Sequence, residues 1–352
     1  MSQVHHIDSR QEFTRLLSDY LEQGSFSQIF ILTDENTALH CQPILCELLE
    51  EIKTSFNFLS MPAGEAHKNL KTCQKLWTEL TDKKADRQSL LLNLGGGVVT
   101  DLGGFVAATY KRGMRFCHLP TSLLGMVDAA IGGKCGVDFQ AYKNHLGVFE
   151  FAEKTFVFPD FLKTLPEREF SSGTAEMVKH ALIAKPDLWH KLKSISADNH
   201  QAWTSLITEA TGVKQQFVEE DFKEQASRKA LNFGHSLGHA LESFLLSQGT
   251  PIHHGYAVAA GMVMEAFLSK KACGFSQKEF EEVSLFIKKN YPKIQYQKGE
   301  IEEILKFLGQ DKKIVSGENR FSLLEKIGSC KVGQVVTLEE ARKALIYYMQ
   351  EV

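Results

Sequence analysis

Apolar positions in the first half of this chain fall into compact runs separated by polar, turn-forming stretches. Runs at 27–32, 56–60, 89–94, 115–119 and 155–158 have strand length, whereas 9–23 and 70–80 repeat apolar residues at helical spacing. Ser9-Arg-Gln-Glu12 supplies a capping box for the first of those helices. The run at 89–94 passes through Gly95-Gly-Gly-Val-Val-Thr-Asp101 into a helix over 102–110. Strand, glycine-rich turn and helix start together bring backbone N–H groups to a phosphate. Thr100 occupies the last glycine place of the strict Gly-x-Gly-x-x-Gly spacing, so the stretch also reads as a plain tight turn. Beyond Pro159 the period becomes helical, with helices expected over 174–183, 188–192, 203–218, 226–246, 256–270, 277–288 and 301–308. Ser316-Gly-Glu-Asn319 reads as a hairpin turn, and Thr337-Leu-Glu-Glu340 caps a last helix ending near 349. The pattern predicts an α/β nucleotide-binding half followed by an all-helical half, with the site in the cleft between them.

Composition narrows the function classes. A chain of 352 residues that is 43% hydrophobic and 24% charged is an ordinary globular enzyme of two domains. Its net charge of −3 gives no pull toward nucleic acid or anionic membrane. No apolar run is long enough to span a bilayer, and no basic-then-apolar leader opens the sequence. The 7 cysteines, an odd number without a Cys-x-x-Cys pair, read as reduced thiols, which makes the cytoplasm the expected compartment.

Candidate chemistry gathers in the second half. His235 and His239 stand four apart in an apolar helical pattern, and His253-His254-Gly255 follows a break containing Gly249 and Pro251. Upstream, Glu176, Lys179 and His180 share one helix face. Two imidazole-bearing segments and a carboxylate from a third make a three-ligand metal site with an open position. A lone i, i+4 histidine pair is more often a surface or satisfied pair, and Ser236 stands where a His-Glu-x-x-His protease keeps its base. The clustering of histidines between His180 and His254 favours metal. In the first half, Arg112, Asp128, Lys134 and Lys143-Asn144 crowd glycine-rich bends in an apolar region. Such residues can merely solvate a loop, but several cations together are better explained by an anionic ligand.

These stretches carry a resemblance. Gly95 through Gly113, Pro120-Thr-Ser-Leu-Leu through Lys143-Asn144, Ala175-Glu-Met-Val-Lys179, Arg228 through Glu242, His254-Gly255 and Gln310-Asp-Lys-Lys313 resemble 3-dehydroquinate synthases in order along the chain. The resemblance implies a Rossmann-like NAD-binding domain over 1–160 and an all-helical metal- and substrate-binding domain over 161–352. It implies a homodimer that uses NAD and a divalent metal, zinc or cobalt. Carried over position by position, Glu176, His235 and His254 are similar to metal ligands, with His239 an acid/base partner. Asp34, Asn36, Gly64, Glu65, Lys68, Gly96, Gly97, Val98, Asp101, Thr121, Ser122 and Lys143 resemble NAD contacts. Arg112, Asp128, Lys134, Asn144, Lys179, Lys214, Arg228, Asn232 and Lys312 resemble substrate contacts, with Lys179 also catalytic and Glu224 at a proton-acceptor position. The chain departs from the pattern at Thr100, in a longer His235-to-His254 spacing, and at Tyr256, where a glutamate is common.

The implied substrate is 3-deoxy-D-arabino-heptulosonate 7-phosphate, which would become 3-dehydroquinate and phosphate in the shikimate route to aromatic amino acids. The implied steps are transient oxidation by NAD, phosphate elimination, reduction and aldol closure. Other readings are a valiolone- or inosose-type sugar-phosphate cyclase, a metal-dependent polyol or glycerol dehydrogenase, and a non-catalytic NAD- or metabolite-sensing module. The dehydrogenase needs no dense cationic cluster, and the complete Glu176, His235, His239 and His254 set argues against the sensor.

Overall fold

Strands apolar on both faces belong inside a sheet covered on both sides, and the first part of the chain builds one. The computed structural model describes residues 2–50, 54–140, 142–195, 200–308, 314–315 and 318–352. The chain divides into two compact units, Met1–Phe170 and Ser171–Val352.

The strands of the first unit are β1 (Gln3–His6), β2 (Ile29–Asp34), β3 (Phe56–Met61), β4 (Leu90–Gly95), β5 (Arg115–Pro120), β6 (Lys134–Phe139), β7 (Tyr142–Phe149) and β8 (Lys154–Val157). Six of them form a parallel sheet in the order β1-β8-β5-β4-β2-β3. Every residue of the central β4 is buried. From β2 the chain moves outward to β3, then returns to the other side of β2 as β4 and continues outward to β5. The winding direction therefore reverses between β2 and β4, where the carboxyl ends of parallel strands leave a crevice. Helix Gly97–Thr109 lies hard against this sheet: a Cβ on Gly103 would stand 2.0 Å from Asn93 Oδ1. Leu76 and Leu80 of helix Leu70–Asp82 complete the core with Phe30, Leu32, Leu91, Leu102 and Val106.

Two elements of this unit were absent from the pattern. β1 is a short edge strand rich in histidine, and its pairing with β8 joins positions as remote as Gln3 and Lys154. The antiparallel β6–β7 hairpin is glycine-interrupted, which hides its alternation. It is pinned to the loop after β3, where Asp138 N–H donates to the Lys68 carbonyl at 2.8 Å.

The second unit is mainly helical and also carries a three-stranded sheet built on the antiparallel strands Glu318–Lys326 and Ser329–Val335. Val315 pairs with Glu318 as a hairpin requires; Ser316 and Gly317 lie outside the described residues. Thr337 caps the last helix, Leu338–Glu351, by the expected box. The helix expected over 226–246 is two elements: a 3-10 segment, Ser227–Asn232, and helix His235–Ser247. Gly234 breaks them apart at φ 78°, a left-handed conformation open to glycine.

Glycine then sets how closely the helices of this unit meet. A Cβ on Gly261 would lie 1.9 Å from the Gly234 carbonyl oxygen, and one on Gly238 would lie 2.8 Å from the Ala257 carbonyl oxygen. Helices His235–Ser247 and His254–Cys273 thus touch backbone to backbone. Gly255 stands equally close to helix Glu167–Ala184, with a would-be Cβ 2.0 Å from the Ser172 carbonyl oxygen. Its N–H donates to Ser172 Oγ at 2.9 Å. Among the described residues no helix is long and apolar enough to cross a membrane.

These contacts predict opposite outcomes for one substitution at two helical glycines. Gly212 sits in helix His200–Glu220 with nothing within 4 Å of an added Cβ, so Gly212→Ala should stabilise by about 0.5–1 kcal/mol. Gly261→Ala should destabilise by about 1–3 kcal/mol through overpacking. Thermal and urea melts of the two variants give the comparison, and equal midpoints would contradict the backbone contact.

Candidate functional site

Three helices of the second unit each bring one donor to a common point. Glu176 lies mid-helix and is fully buried; His235 and His254 are the first residues of their helices. Glu176 Oε1 is 3.5 Å from His235 Nε2 and 3.5 Å from His254 Nε2. The other ring nitrogens have separate partners. His235 Nδ1 lies 3.1 Å from the Phe233 carbonyl oxygen, and His254 Nδ1 lies 3.2 Å from Glu242 Oε2. A carbonyl can only accept, so the His235 proton sits on Nδ1, leaving the Nε2 lone pair directed at Glu176. This second-partner pattern is what fixes a histidine's tautomer in metal sites.

The donor set therefore fits a divalent ion of borderline hardness held by two imidazoles and a carboxylate. His239, one turn beyond His235 and half-buried, has a ring nitrogen within 4.8 Å of those of His235 and His254. Distance alone admits it as a fourth donor.

Electrostatics at this point are steep. Burial, then the nearby Lys179 charge, holds His235 well below the ordinary imidazole range. Burial also pulls His254 down, but Glu242 and Glu176 outweigh it and push its pKa up to about 10. Lys179, itself buried, forms an ion pair with Glu176 Oε2. His180, which shares that helix face, is fully buried with a ring nitrogen within 4.8 Å of a Glu176 carboxylate oxygen, and its Nδ1 lies 3.1 Å from the Ala210 carbonyl oxygen.

The loop before His235 assembles further polar candidates. Asp221 accepts the backbone N–H groups of Gln225, Ala226 and Arg228. That fold-back buries Arg228, whose Nη1 donates to the Phe222 carbonyl at 2.6 Å. Asn232 Nδ2 donates to Glu224 Oε1 at 2.6 Å, joining two candidates directly. Lys214 is buried on helix His200–Glu220, and Lys312 lies outside the described residues.

In the first unit, the dinucleotide candidates line one edge of the sheet because its strands are parallel. Asp34 ends β2, Gly64, Glu65 and Lys68 follow β3, Gly96 to Asp101 follow β4, and Thr121 and Ser122 follow β5. Gly96 caps helix Gly97–Thr109 without a side chain. A Cβ on Gly96 would lie 3.2 Å from Ser122 Oγ, and one on Gly97 would lie 3.1 Å from Ala129 Cβ. Bare glycines at an uncapped helix start, on the crevice of a winding reversal, fit a pyrophosphate. Thr100 does not obstruct it: the side chain is buried and its hydroxyl bonds back to the Gly96 and Gly97 carbonyls.

Other positions at this edge are already engaged. Asp34 caps its own helix by accepting Thr37 N–H at 2.8 Å, and Asn36 is exposed in that first turn. Lys68 Nζ donates to Asp101 Oδ2 and Asn144 Oδ1, both at 2.6 Å. Burial lowers the Lys68 pKa, but Asp101 and Glu65 outweigh it and raise the pKa above the ordinary lysine value. Three candidates thus form one cluster, and an ammonium with three donors keeps one for a ligand. Lys143 is half-buried on β7, Asp128 is half-buried in the π-helical turn Gly125–Ala129, and Lys134 is exposed at the start of β6.

Arg112 is the exception. It is exposed in the turn before β5, whose Arg115 pairs with Leu90 at the beginning of β4. The six residues of β4, at about 3.3 Å each, separate that edge from Gly96.

Two buried carboxylates escaped the motif reading. Glu242 lies seven residues after His235, so His235, His239 and Glu242 form an i, i+4, i+7 stripe that could have revealed it. Glu265 has no such signal, because its partners belong to another helix.

Comparisons with known proteins identify the family. Residues 58–172 match the family model for the 3-dehydroquinate synthase N-terminal region, and residues 173–314 match that for the C-terminal region. A 3-dehydroquinate synthase from Parabacteroides distasonis is 40% identical over 336 residues, covering 95% of each chain. Among solved structures, 2-epi-5-epi-valiolone synthase from Streptomyces hygroscopicus, with NAD+ and Zn2+ bound, superposes with a TM-score of 0.87 at 24% identity, over 100% of this chain and 98% of that one. A 2-deoxy-scyllo-inosose synthase complexed with carbaglucose-6-phosphate, NAD+ and Co2+ gives 0.83 at 20% identity, over 97% and 95%. At those identities the structural matches speak for the fold.

The geometry predicts separable losses. His235→Ala and His254→Ala should each strip most of the metal measured by elemental analysis, while His239→Ala should retain metal and lose activity. Equal metal loss in all three would make His239 a ligand. Gly97→Val should raise the NAD dissociation constant at least tenfold with metal content unchanged, read by calorimetric titration.

Proposed function

The chain belongs to the 3-dehydroquinate synthase family, and from that premise we propose that it converts 3-deoxy-D-arabino-heptulosonate 7-phosphate to 3-dehydroquinate and phosphate. It is a carbon–oxygen lyase that depends on NAD and a divalent metal, zinc or cobalt. The observation that carries the reading is the burial of three cations, Lys179, Lys214 and Arg228, in the unit that holds the Glu176, His235 and His254 donor set. A neutral polyol gives a dehydrogenase no reason to bury them; a substrate with both carboxylate and phosphate does.

Bound NAD supplies a hydride acceptor that returns its hydride within one turnover, and the metal supplies Lewis acidity at the reacting hydroxyl. Glu176, His235 and His254 would hold the metal. Gly96, Gly97 and Val98 would receive the pyrophosphate at the helix start, with Lys68, Asp101, Thr121, Ser122 and Lys143 around the dinucleotide.

The chain's own groups then position substrate and move protons. The Arg228 guanidinium presents a planar fork suited to a carboxylate or phosphate, and Lys179 and Lys214 add point charges out of water. Asn232, held by Glu224, offers polar contacts to ring hydroxyls. His239, with a ring nitrogen within 4.8 Å of those of His235 and His254, would pass a proton at the oxygen being oxidised and reduced. The departing phosphate, kept in the cationic pocket, can accept the proton lost in its own elimination. Asp128, Lys134, Asn144 and Lys312 complete the proposed substrate contacts.

The proposal includes a homodimer. Arg112, exposed on the edge where the strands begin, remains a proposed substrate contact. All seven cysteines are free thiols, which supports the cytoplasm as the working compartment.

Incubating the metal- and NAD-loaded protein with excess heptulosonate phosphate should release phosphate and form 3-dehydroquinate over many turnovers without NADH accumulating. Arg228→Ala should lower kcat/KM by about 10-fold or more, the loss of a charge-assisted contact worth about 1.5–3 kcal/mol. NADH formed in step with product would establish a dehydrogenase. Turnover of sedoheptulose 7-phosphate instead would make this a different cyclase and direct attention to Tyr256, whose ring packs against His253 and Tyr291.

A further inference from the structure

Glu265 is wholly buried on helix His254–Cys273, eleven residues beyond His254 and hence on the same helix face. Its carboxylate reaches across to the start of the neighbouring helix. Gly234 N–H donates to Oε2 at 2.7 Å, while Ser236 N–H and Leu237 N–H donate to Oε1 at 2.8 and 3.0 Å. That start has no cap of its own: the N-cap residue is Gly234, and no side chain of the segment bonds back to the first turn. The first amides of a helix need acceptors, and a carboxylate satisfies several while complementing the positive end of the dipole.

The amides held by Glu265 bracket His235. Gly234 precedes it and Ser236 and Leu237 follow it, while the Phe233 carbonyl holds its Nδ1. A single helix therefore carries His254 at its first residue and, three turns on, the group that anchors the backbone of His235. Glycine contact at Gly261 and Gly238 brings the two helices near enough for that bridge.

We propose that Glu265 is a positioning residue of the metal site: it clamps the first turn of the His235 helix onto the His254 helix and so fixes the spacing of the two imidazoles before any ion arrives. The inference rests on the reading of His235 and His254 as metal ligands. Glutamine is a near-isosteric test, because it keeps one acceptor oxygen and turns an NH2 donor toward a backbone N–H donor. Whichever way the amide is placed, at least one bond is replaced by a donor–donor contact.

Glu265→Gln should weaken zinc binding by about 10–100-fold, the range for a residue that orients a ligand. It should also alter the visible spectrum of the cobalt-substituted protein, while the NAD dissociation constant stays unchanged. A residue that only stabilises the fold would lower the melting temperature and leave zinc affinity and the cobalt spectrum as in the unmodified protein; that result overturns the proposal. A second measurement needs no variant. In the metal-free protein, hydrogen exchange at the amides of Ser236 and Leu237 should already be slow; fast exchange that slows only when zinc is added means the ion orders this turn, and the proposal fails. His235→Ala separates the two layers. If it retains full metal content, the ligand reading falls and this proposal with it. If it loses metal while Glu265→Gln behaves as the unmodified protein, only the role of Glu265 is refuted.

Discussion

The metal candidate depends on backbones that touch. Packed helices usually stand about 8–10 Å apart with side chains between them. Here the Gly234 carbonyl occupies the place where a Cβ on Gly261 would be, and the Ser172 carbonyl the place where one on Gly255 would be. Three helices are thereby drawn to one point, where Glu176 Oε1 lies 3.5 Å from both His235 Nε2 and His254 Nε2 although the three come from positions as distant as Glu176 and His254. Precision of this kind comes from rigid elements, since a loop-borne ligand would reach its position only after paying ordering entropy. The same closeness makes each imidazole's second hydrogen bond available, to Phe233 for one and to Glu242 for the other.

Parallel topology does for the dinucleotide what glycine contact does for the metal. Residues that follow β2, β3, β4 and β5 are scattered over almost ninety positions, yet parallel pairing delivers them all to one edge. The reversal between β2 and β4 opens that edge at Gly96, where the helix start lacks a side-chain cap. Lys68 ties the arrangement together, because its bonds to Asp101 and Asn144 join the loop after β3, the helix after β4 and the β6–β7 hairpin.

Much of this was legible locally. Strand length and apolar runs located β2 to β5, and the turn at Gly95 to Asp101 marked the strand-to-helix turn as a candidate phosphate site. Residue spacing marked two imidazole-bearing segments and the helix of Glu176 as a candidate metal site, and the family resemblance chose His235, His254 and Glu176 among them. What escaped was whatever depends on a partner distant in sequence. The edge strand β1 is defined by β8, and Glu265 by amides on another helix. The uninterrupted helix expected over 226–246 fails for a different reason: Gly234, at a φ of 78°, ends one element and makes His235 the first residue of the next. That displacement has a chemical consequence, since it puts the candidate ligand His235 at a helix start where its neighbours' amides require acceptors. Arg112 shows the converse limit. Its place in a motif marks it as functional, but only the sheet register shows that it sits on the edge opposite Gly96.

The energetic oddities of the second unit make sense together. Removing an ammonium or guanidinium from water costs several kcal/mol unless close partners compensate. Lys179 and Arg228 are each 1% exposed, in a chain whose net charge is −3 and which has ample surface for lysine and arginine. Their neighbours are chosen to hold them in place: Glu176 for Lys179, and the Phe222 carbonyl for Arg228 in a loop folded around Asp221. Local rules of stability are broken where function requires it. A site that must grip a phosphate while it leaves, and a carboxylate throughout, needs cations already desolvated and already aimed, because charges that first had to shed water would spend their binding energy doing so. Buried cations in the same unit as Glu176, His235 and His254 are what the proposed sugar-phosphate cyclase would require.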